Sequence, residues 1–258
     1  DSRAGKVRKA FGYQLKFDLK KGFPAMTTKK LAWKSVVSEL LWFIEGSDDE
    51  RRLAEILYQD KRENLKDKKT IWTQNAKSDY WKDKSKFEGD VGRIYGVQWR
   101  DFNGVDQIKN LIESIKTDPN GRRHILSAWN PADLSLMSLP PCHAFSQFFV
   151  SNNKLSCQLY QRSCDMFLGV PFNIASYSLF IHLVAVECNL DVGEFIHVLG
   201  DYHIYHEHFD AINIQLNREP KQLPKLIFDK RDIFKYSVND FLLEDYNPHS
   251  IIKAKMNV

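Results

Sequence analysis

Apolar and polar residues alternate from Phe11 to Phe17 (Phe-Gly-Tyr-Gln-Leu-Lys-Phe), the period-two pattern of a strand with one covered face. From Lys29 to about Ile44 the spacing turns helical, with Leu31, Trp33, Val36, Val37, Leu40 and Leu41 recurring on one side. Thr27 and Thr28 stand where a cap is wanted, and Gly46 where such a helix ends. Residues 47–92 lose periodicity. Their charge runs, Asp48-Asp49-Glu50-Arg51-Arg52 and Lys82-Asp83-Lys84-Ser85-Lys86, predict short helices and exposed loops around an apolar anchor, Ile71-Trp72. A second amphipathic helix starts at Asp106 and carries Ile108, Leu111, Ile112 and Ile115.

After the turn Pro119-Asn120-Gly121 the pattern predicts a strand from His124 to Trp129. Ala144–Val150 and Leu155–Gln161 flank Ser151-Asn152-Asn153-Lys154, a hairpin signal. Residues 173–190 read as a mostly buried helix, because few positions besides Asn173, His182 and Glu187 are strongly polar. Strand, helix and strand follow at about 194–205, 206–217 and 224–228. Sheet and helix alternate without a regular βαβ rhythm, which argues for an α+β fold.

Composition narrows the classes. A chain of 258 residues that is 43% apolar can bury a full core in one domain spanning 1–258. Lys and Arg exceed Asp and Glu by only +4, and they are scattered, so the stripe of a nucleic-acid binder is missing. No apolar run is expected to approach a membrane span, and the first residues lack a signal-peptide pattern. The four cysteines, Cys142, Cys157, Cys164 and Cys188, form no CxxC pair and no metal-ligand spacing with histidines. Reduced thiols in a cytoplasm (a host's, if the chain is viral) and no bound metal are the expectation.

The chemistry gathers in one stretch: Leu139-Pro140-Pro141-Cys142-His143, then Arg162-Ser163-Cys164-Asp165, then Pro171-Phe172-Asn173. A cysteine can simply be a small buried hydrophobe. Here two prolines fix the backbone before it, and Arg122, Arg123 and Arg162 lie on flanking segments, surroundings that favour a thiolate nucleophile. No protease signature surrounds it. Arg162 and Ser163 offer a planar fork and a hydroxyl for a phosphate; the doublet Arg122-Arg123 is a second pair or a solvated turn. Asn173 can cap its helix, and its amide can also donate and accept together, as reading a uracil edge requires. His203 and Tyr205 share one face of a strand, suited to a sugar or to a structural pair. Glu39, inside Ser38-Glu39-Leu40-Leu41-Trp42-Phe43, is either paired or has a raised pKa suited to proton transfer.

These residues carry a resemblance. Pro-Cys-His at 141–143, Cys-Gln-Leu-Tyr-Gln-Arg-Ser-Cys-Asp at 157–165, Gly-Val-Pro-Phe-Asn-Ile-Ala-Ser-Tyr at 169–177 and Gly-Asp-x-His-Ile-Tyr at 200–205 make the chain similar to the folate-dependent thymidylate synthase family from Phe11 to Val258. The resemblance implies a three-layer α+β fold whose large mixed sheet packs against its twin in a homodimer, here without the family's usual N-terminal helix. It implies that Cys142 adds to C6 of dUMP, and that C5 takes the one-carbon unit of 5,10-methylenetetrahydrofolate, a cosubstrate. Glu39 would move protons and Tyr95 would assist proton removal at C5. Arg162, Ser163 and, less closely matched, Arg3 would hold the phosphate, joined by Arg122 and Arg123 from the partner subunit. Asn173 would read uracil, His203 and Tyr205 the ribose. Asp165, Trp72, Gly169 and Phe172 would line the folate pocket, with Lys29 at the glutamate tail and the C-terminal Lys255–Val258 closing over both ligands.

Four departures stand beside the match. The family's Arg-Thr-Gly-Thr-Gly-Thr loop is Ser2-Arg3-Ala4-Gly5-Lys6-Val7, the acid after Ile-Trp is Thr73, the proline before the Tyr95 motif is replaced by Arg93, and Asn257 stands where alanine is usual. All lie around the folate, the phosphate loop or the tail. They leave a second outcome open, because viral relatives add water rather than hydride to the same methylene intermediate and make 5-hydroxymethyl-dUMP.

Overall fold

The computed structural model describes residues 5–256. In chain order the elements are β1 (Val7–Asp18), α1 (Trp33–Glu45), α2 (Glu50–Tyr58), α3 (Thr73–Ala76), α4 (Asp79–Lys82), α5 (Tyr95–Arg100), α6 (Gln107–Thr117), β2 (Ile125–Ser127), β3 (His143–Ser151), β4 (Lys154–Asp165), α7 (Gly169–Glu187), β5 (Asp191–Tyr205), α8 (Phe209–Leu216), β6 (Lys225–Ile227) and β7 (Leu242–Glu244), with short 3₁₀ turns between them. Five strands form a mixed sheet in the order β1-β5-β4-β3-β2, in which only β4 and β5 run parallel; β6 and β7 pair separately. This is the mixed α+β architecture expected from the pattern.

Local chemistry explains the elements that sequence foresaw. Asn152 and Asn153 take left-handed φ values of 50° and 59°, which the tight turn from β3 to β4 requires and asparagine tolerates. The Asp106 carboxylate accepts the Lys109 N–H at 3.1 Å and starts α6. Gly46, at φ +82°, ends α1 by donating its N–H to the carbonyls of Trp42 and Phe43.

Other boundaries moved. The first long helix begins at Trp33 rather than Lys29, after Ala32 and with no side-chain cap. The Thr27 hydroxyl instead exchanges hydrogen bonds with the Lys221 backbone, and Thr28 Oγ1 accepts from Gln215 Nε2 at 2.9 Å. Long-range partners thus outbid the local cap. The buried helix starts at Gly169, so Asn173 lies inside it and caps nothing. The strand expected over His124–Trp129 is confined to Ile125–Ser127. Of the expected anchor pair, Trp72 is buried and Ile71 is partly exposed.

α7 also corrects the expectation about apolar runs. Its 19 residues are long and apolar enough to span a membrane, but 72% of that window is buried inside the chain. The burial has a clear cause. Phe180 stacks on Trp99 and meets Phe148 edge-on, and Tyr177 stacks on Phe195, so the helix fills the space between the sheet's inner face and α5. α1 closes the same core from the other side through Phe43, whose ring meets those of Tyr95 and Trp99.

The approach of α5 to α1 depends on Gly96. A Cβ there would sit 2.8 Å from the Phe43 Cα and carbonyl oxygen, backbone atoms that cannot step aside. Gly96→Ala is therefore expected to cost roughly 1–3 kcal/mol and lower the midpoint of thermal unfolding. An unchanged midpoint would show that the two helices do not meet this closely.

Candidate active site

The large cavity, about 1080 Å³, opens between the C-terminal half of β4 and β5, the start of α7, α1 and the segment 251–256. Strand alternation aims its polar wall. Gln161, Ser163 and Asp165 stand two apart on β4, directly beside Leu199, Asp201 and His203 on β5. Thirteen of the residues singled out from sequence line this cavity: Cys142, Glu39, Tyr95, Arg162, Ser163, Asp165, Asn173, His203, Tyr205, Lys29, Trp72, Gly169 and Phe172. Arg122 and Arg123 do not; they are exposed on the turn before β2, outside this chain's cavity. Arg3 and Val258 lie outside the described residues.

Cys142 is half-buried at a corner fixed by Arg162. The Arg162 guanidinium donates to the carbonyls of Pro140 and Pro141, both at 2.8 Å, and its Nη2 stands 3.9 Å from the Cys142 sulfur. The backbone N–H of Arg162 donates to the Cys142 carbonyl at 2.8 Å. One side chain thus shapes the loop and lays a cation beside the thiol, the surrounding that favours thiolate. The other three thiols are the reverse case. Burial pushes Cys164 up to about 12 and Cys188 up to about 11, and drives Cys157 higher still.

The Cys142 N–H donates to the Tyr95 hydroxyl at 2.6 Å. Burial, with the Cys142 charge nearby, holds that phenol's pKa well above its ordinary value, so it keeps its proton. Its ring stacks on His143 at 4.0 Å, and burial lowers the His143 pKa to about 3, which keeps that imidazole neutral. Glu39 stands on the buried side of α1 and accepts the Trp72 indole N–H at 2.7 Å. Burial raises its pKa to about 7, with the Trp72 bond opposing, so the carboxyl gains and loses a proton near neutrality.

Three residues that sequence reasoning passed over orient the amide on α7. His197 Nε2 donates to Gln161 Oε1 at 2.8 Å, and Gln161 Nε2 donates to Asn173 Oδ1 at 3.1 Å and to the Ser163 carbonyl at 2.9 Å. Burial keeps His197 neutral by lowering its pKa to about 4. This chain fixes which end of Asn173 accepts, and leaves its NH₂ to donate to a ligand. The alternation Gln161, Ser163, Asp165 was a signal for Gln161; nothing local pointed to His197. The third is Asp201, which accepts from His203 Nδ1 and from Lys9 Nζ, both at 3.1 Å, and so ties β1 to the His203–Tyr205 wall.

At the other end, Asp165 Oδ1 accepts the N–H groups of Phe167 and Leu168 and shapes the turn into α7. The Lys29 ammonium lies 3.5 Å from the centre of the Phe167 ring and donates to the Phe167 carbonyl; burial lowers its pKa to about 8, partly offset by Asp165. Of the four departures, Thr73 donates to Glu50 at 2.6 Å and Arg93 to Asp133 at 2.7 Å. Neither side chain lines the cavity. The loop at 2–7 is described only from Gly5, and Asn257 lies outside the described residues.

Glu39 has a measurable signature. Its folded pKa lies above the unfolded value of 4.5, so its contribution to stability is complete below that pH and lost as pH rises through about 7. Glu39→Gln, which cannot ionise, is expected to gain stability over the unsubstituted chain between these pH values, reaching on the order of 3 kcal/mol above neutrality. A difference that does not vary with pH, measured by denaturant unfolding, would contradict a raised carboxyl.

A cationic corner around a thiol, an oriented amide and a carboxyl titrating near neutrality share one cavity in a mixed α+β fold. A family model described as thymidylate synthase matches residues 1–258. The chain belongs to the thymidylate synthase family, one-carbon transferases that use methylenetetrahydrofolate.

Proposed function

We propose that the protein converts dUMP to dTMP, with 5,10-methylenetetrahydrofolate as the source of both carbon and hydride. The observation that carries this reading is the pairing of two features in one cavity: the Cys142 sulfur 3.9 Å from Arg162, and Asn173 with its accepting end held by Gln161. A nucleophile alone fits many substrates. An amide that must donate one hydrogen bond and accept another matches the O4 and N3–H edge of uracil, whereas cytosine presents the opposite pattern at both positions.

Cys142 thiolate adds to C6 and its electrons collect at C5, which bonds to the one-carbon unit. The C5 proton passes through water to Glu39, whose carboxylate form is populated near neutrality, and Tyr95, still protonated, assists by orienting that water. Elimination breaks the bond from the one-carbon unit to tetrahydrofolate and leaves an exocyclic methylene. The tetrahydrofolate, still in the cavity, gives that carbon a hydride and leaves as dihydrofolate, and Cys142 departs from C6 as the ring double bond re-forms. Ser163 and the free edge of Arg162 face the phosphate, His203 and Tyr205 the ribose. Asp165, Trp72, Gly169, Phe172 and Lys29 line the folate side. Hydride rather than water is favoured because Thr73 and Arg93 spend their polar groups on Glu50 and Asp133, away from the cavity.

The sheet's outer face supports a homodimer. Phe145, Phe149, Tyr160 and Ile125 are all substantially exposed on β2, β3 and β4. Phe145 and Phe149 alternate with Phe148, which packs on α7, so the apolar patch lies on the face turned away from that helix. A twin packed there would cover it, and Arg122 and Arg123, exposed beside β2, would reach the partner's phosphate.

Incubation with dUMP and methylenetetrahydrofolate should yield dTMP and dihydrofolate, read by nucleotide mass and folate absorbance; Cys142→Ser should lower turnover by about 10³-fold or more while dUMP still binds. Tetrahydrofolate with 5-hydroxymethyl-dUMP would replace the methyl reading by the hydroxymethyl one. Phe149→Asp should give monomers in sedimentation and abolish turnover, and a fully active verified monomer would sink the shared-site reading.

A further inference from the structure

We infer that His208 is the latch that holds the C-terminal segment over the folate side of the cavity, a positioning residue for the second substrate. The inference rests in part on the functional reading above, and its test separates the two. The segment is anchored firmly only up to Ser250. Arg218 donates to the Ser250 carbonyl at 2.7 Å and to the Thr28 carbonyl at 2.9 Å. The His249 backbone N–H donates to the Thr27 carbonyl at 2.8 Å, and its Nε2 donates to the Glu219 carbonyl at 2.9 Å. Beyond that point Ile251, Ile252, Lys253, Ala254 and Met256 form one wall of the cavity. Among the described residues a single hydrogen bond reaches this wall: His208 Nε2 donates to the Lys255 carbonyl at 2.8 Å.

His208 is placed to make that bond matter. It is buried, and its other ring nitrogen, Nδ1, has no partner among the described residues. Release of Lys255 would leave a buried imidazole with neither nitrogen paired, until water replaced the carbonyl. The ring also packs against one residue that lines the cavity and one that lies behind its lining. It meets Tyr205 edge-on at 5.6 Å, and it lies 5.3 Å from Phe167, the ring that also carries the Lys29 ammonium. The side chain that grips the tail therefore packs on Tyr205, which lines the sugar side, and on the buried ring that supports Lys29, which lines the folate side. An open tail exposes the cavity; a held tail completes it.

The latch can be read without substrate. Trypsin cleaves after Lys255, at the carbonyl that His208 holds, and its action after Lys66, on an exposed loop, serves as the internal reference. In His208→Phe and His208→Met, which fill the site without a donor, cleavage after Lys255 should be about tenfold faster, the worth of one hydrogen bond. His208→Gln, whose amide can reach the same carbonyl, should restore slow cleavage to within about twofold. With substrates, the donor-less variants should raise KM for methylenetetrahydrofolate about tenfold and leave KM for dUMP within about twofold. Unchanged cleavage in the donor-less variants, or a Gln variant as labile as they are, overturns the latch. An unchanged folate KM overturns its link to the second substrate. Loss of tail protection in a protein that transfers no carbon to dUMP would keep the latch and sink the functional reading.

Discussion

The Arg162 guanidinium organises the candidate site. It closes the Pro140-Pro141-Cys142 corner by satisfying two carbonyls that prolines cannot pair through neighbouring N–H groups, and the same fork sets a cation against the sulfur. Lysine could supply the charge but not both carbonyl contacts in that geometry. Because the Arg162 backbone also holds the Cys142 carbonyl, the corner is attached to β4, whose next residues supply Ser163 and Asp165. Position of nucleophile, polar wall and helix entry thus follow from one strand end.

Around this corner, burial assigns protonation. The same low-dielectric surroundings that keep Cys157, Cys164 and Cys188 as thiols keep His143 and His197 neutral and Tyr95 protonated, and they raise Glu39 into the neutral range. Of the groups around this corner only Glu39 is shifted toward neutral pH; Lys29, at the other end of the cavity, is lowered to about 8. That difference separates a group suited to moving a proton from groups suited to holding a position. His197, Gln161 and Asn173 belong to the second kind; a charged imidazole there would unsettle the amide chain that orients Asn173.

Much of this was legible in the sequence where neighbours decide the outcome. The alternation of β1, the Asn-Asn turn between β3 and β4, the Asp106 cap and the Gly46 stop each depend on residues within a few positions. The clustering of Cys142, Arg162, Asp165 and Asn173 was legible too, because a strand end and the following helix carry three of them. What escaped was set by distant partners. Thr27 and Thr28 spend their hydroxyls on Lys221 and Gln215, so α1 starts late. His197 reaches Gln161 across the sheet, and Arg162 turns back to carbonyls about twenty residues earlier. α7 carries the apolarity of a membrane span because it is enclosed all round, a property of packing that hydropathy alone cannot distinguish.

The central claim is that this packing leaves one cysteine of four able to attack the pyrimidine. Rapid acid quenching of the Glu39→Gln variant with dUMP and methylenetetrahydrofolate, followed by peptide mass mapping, tests it directly, since slowed proton transfer should let the covalent species accumulate. The account predicts a nucleotide-bearing mass on the peptide containing Cys142 and on no other cysteine peptide. A nucleotide on Cys157, Cys164 or Cys188, or turnover with no cysteine-bound nucleotide at any time point, would contradict it.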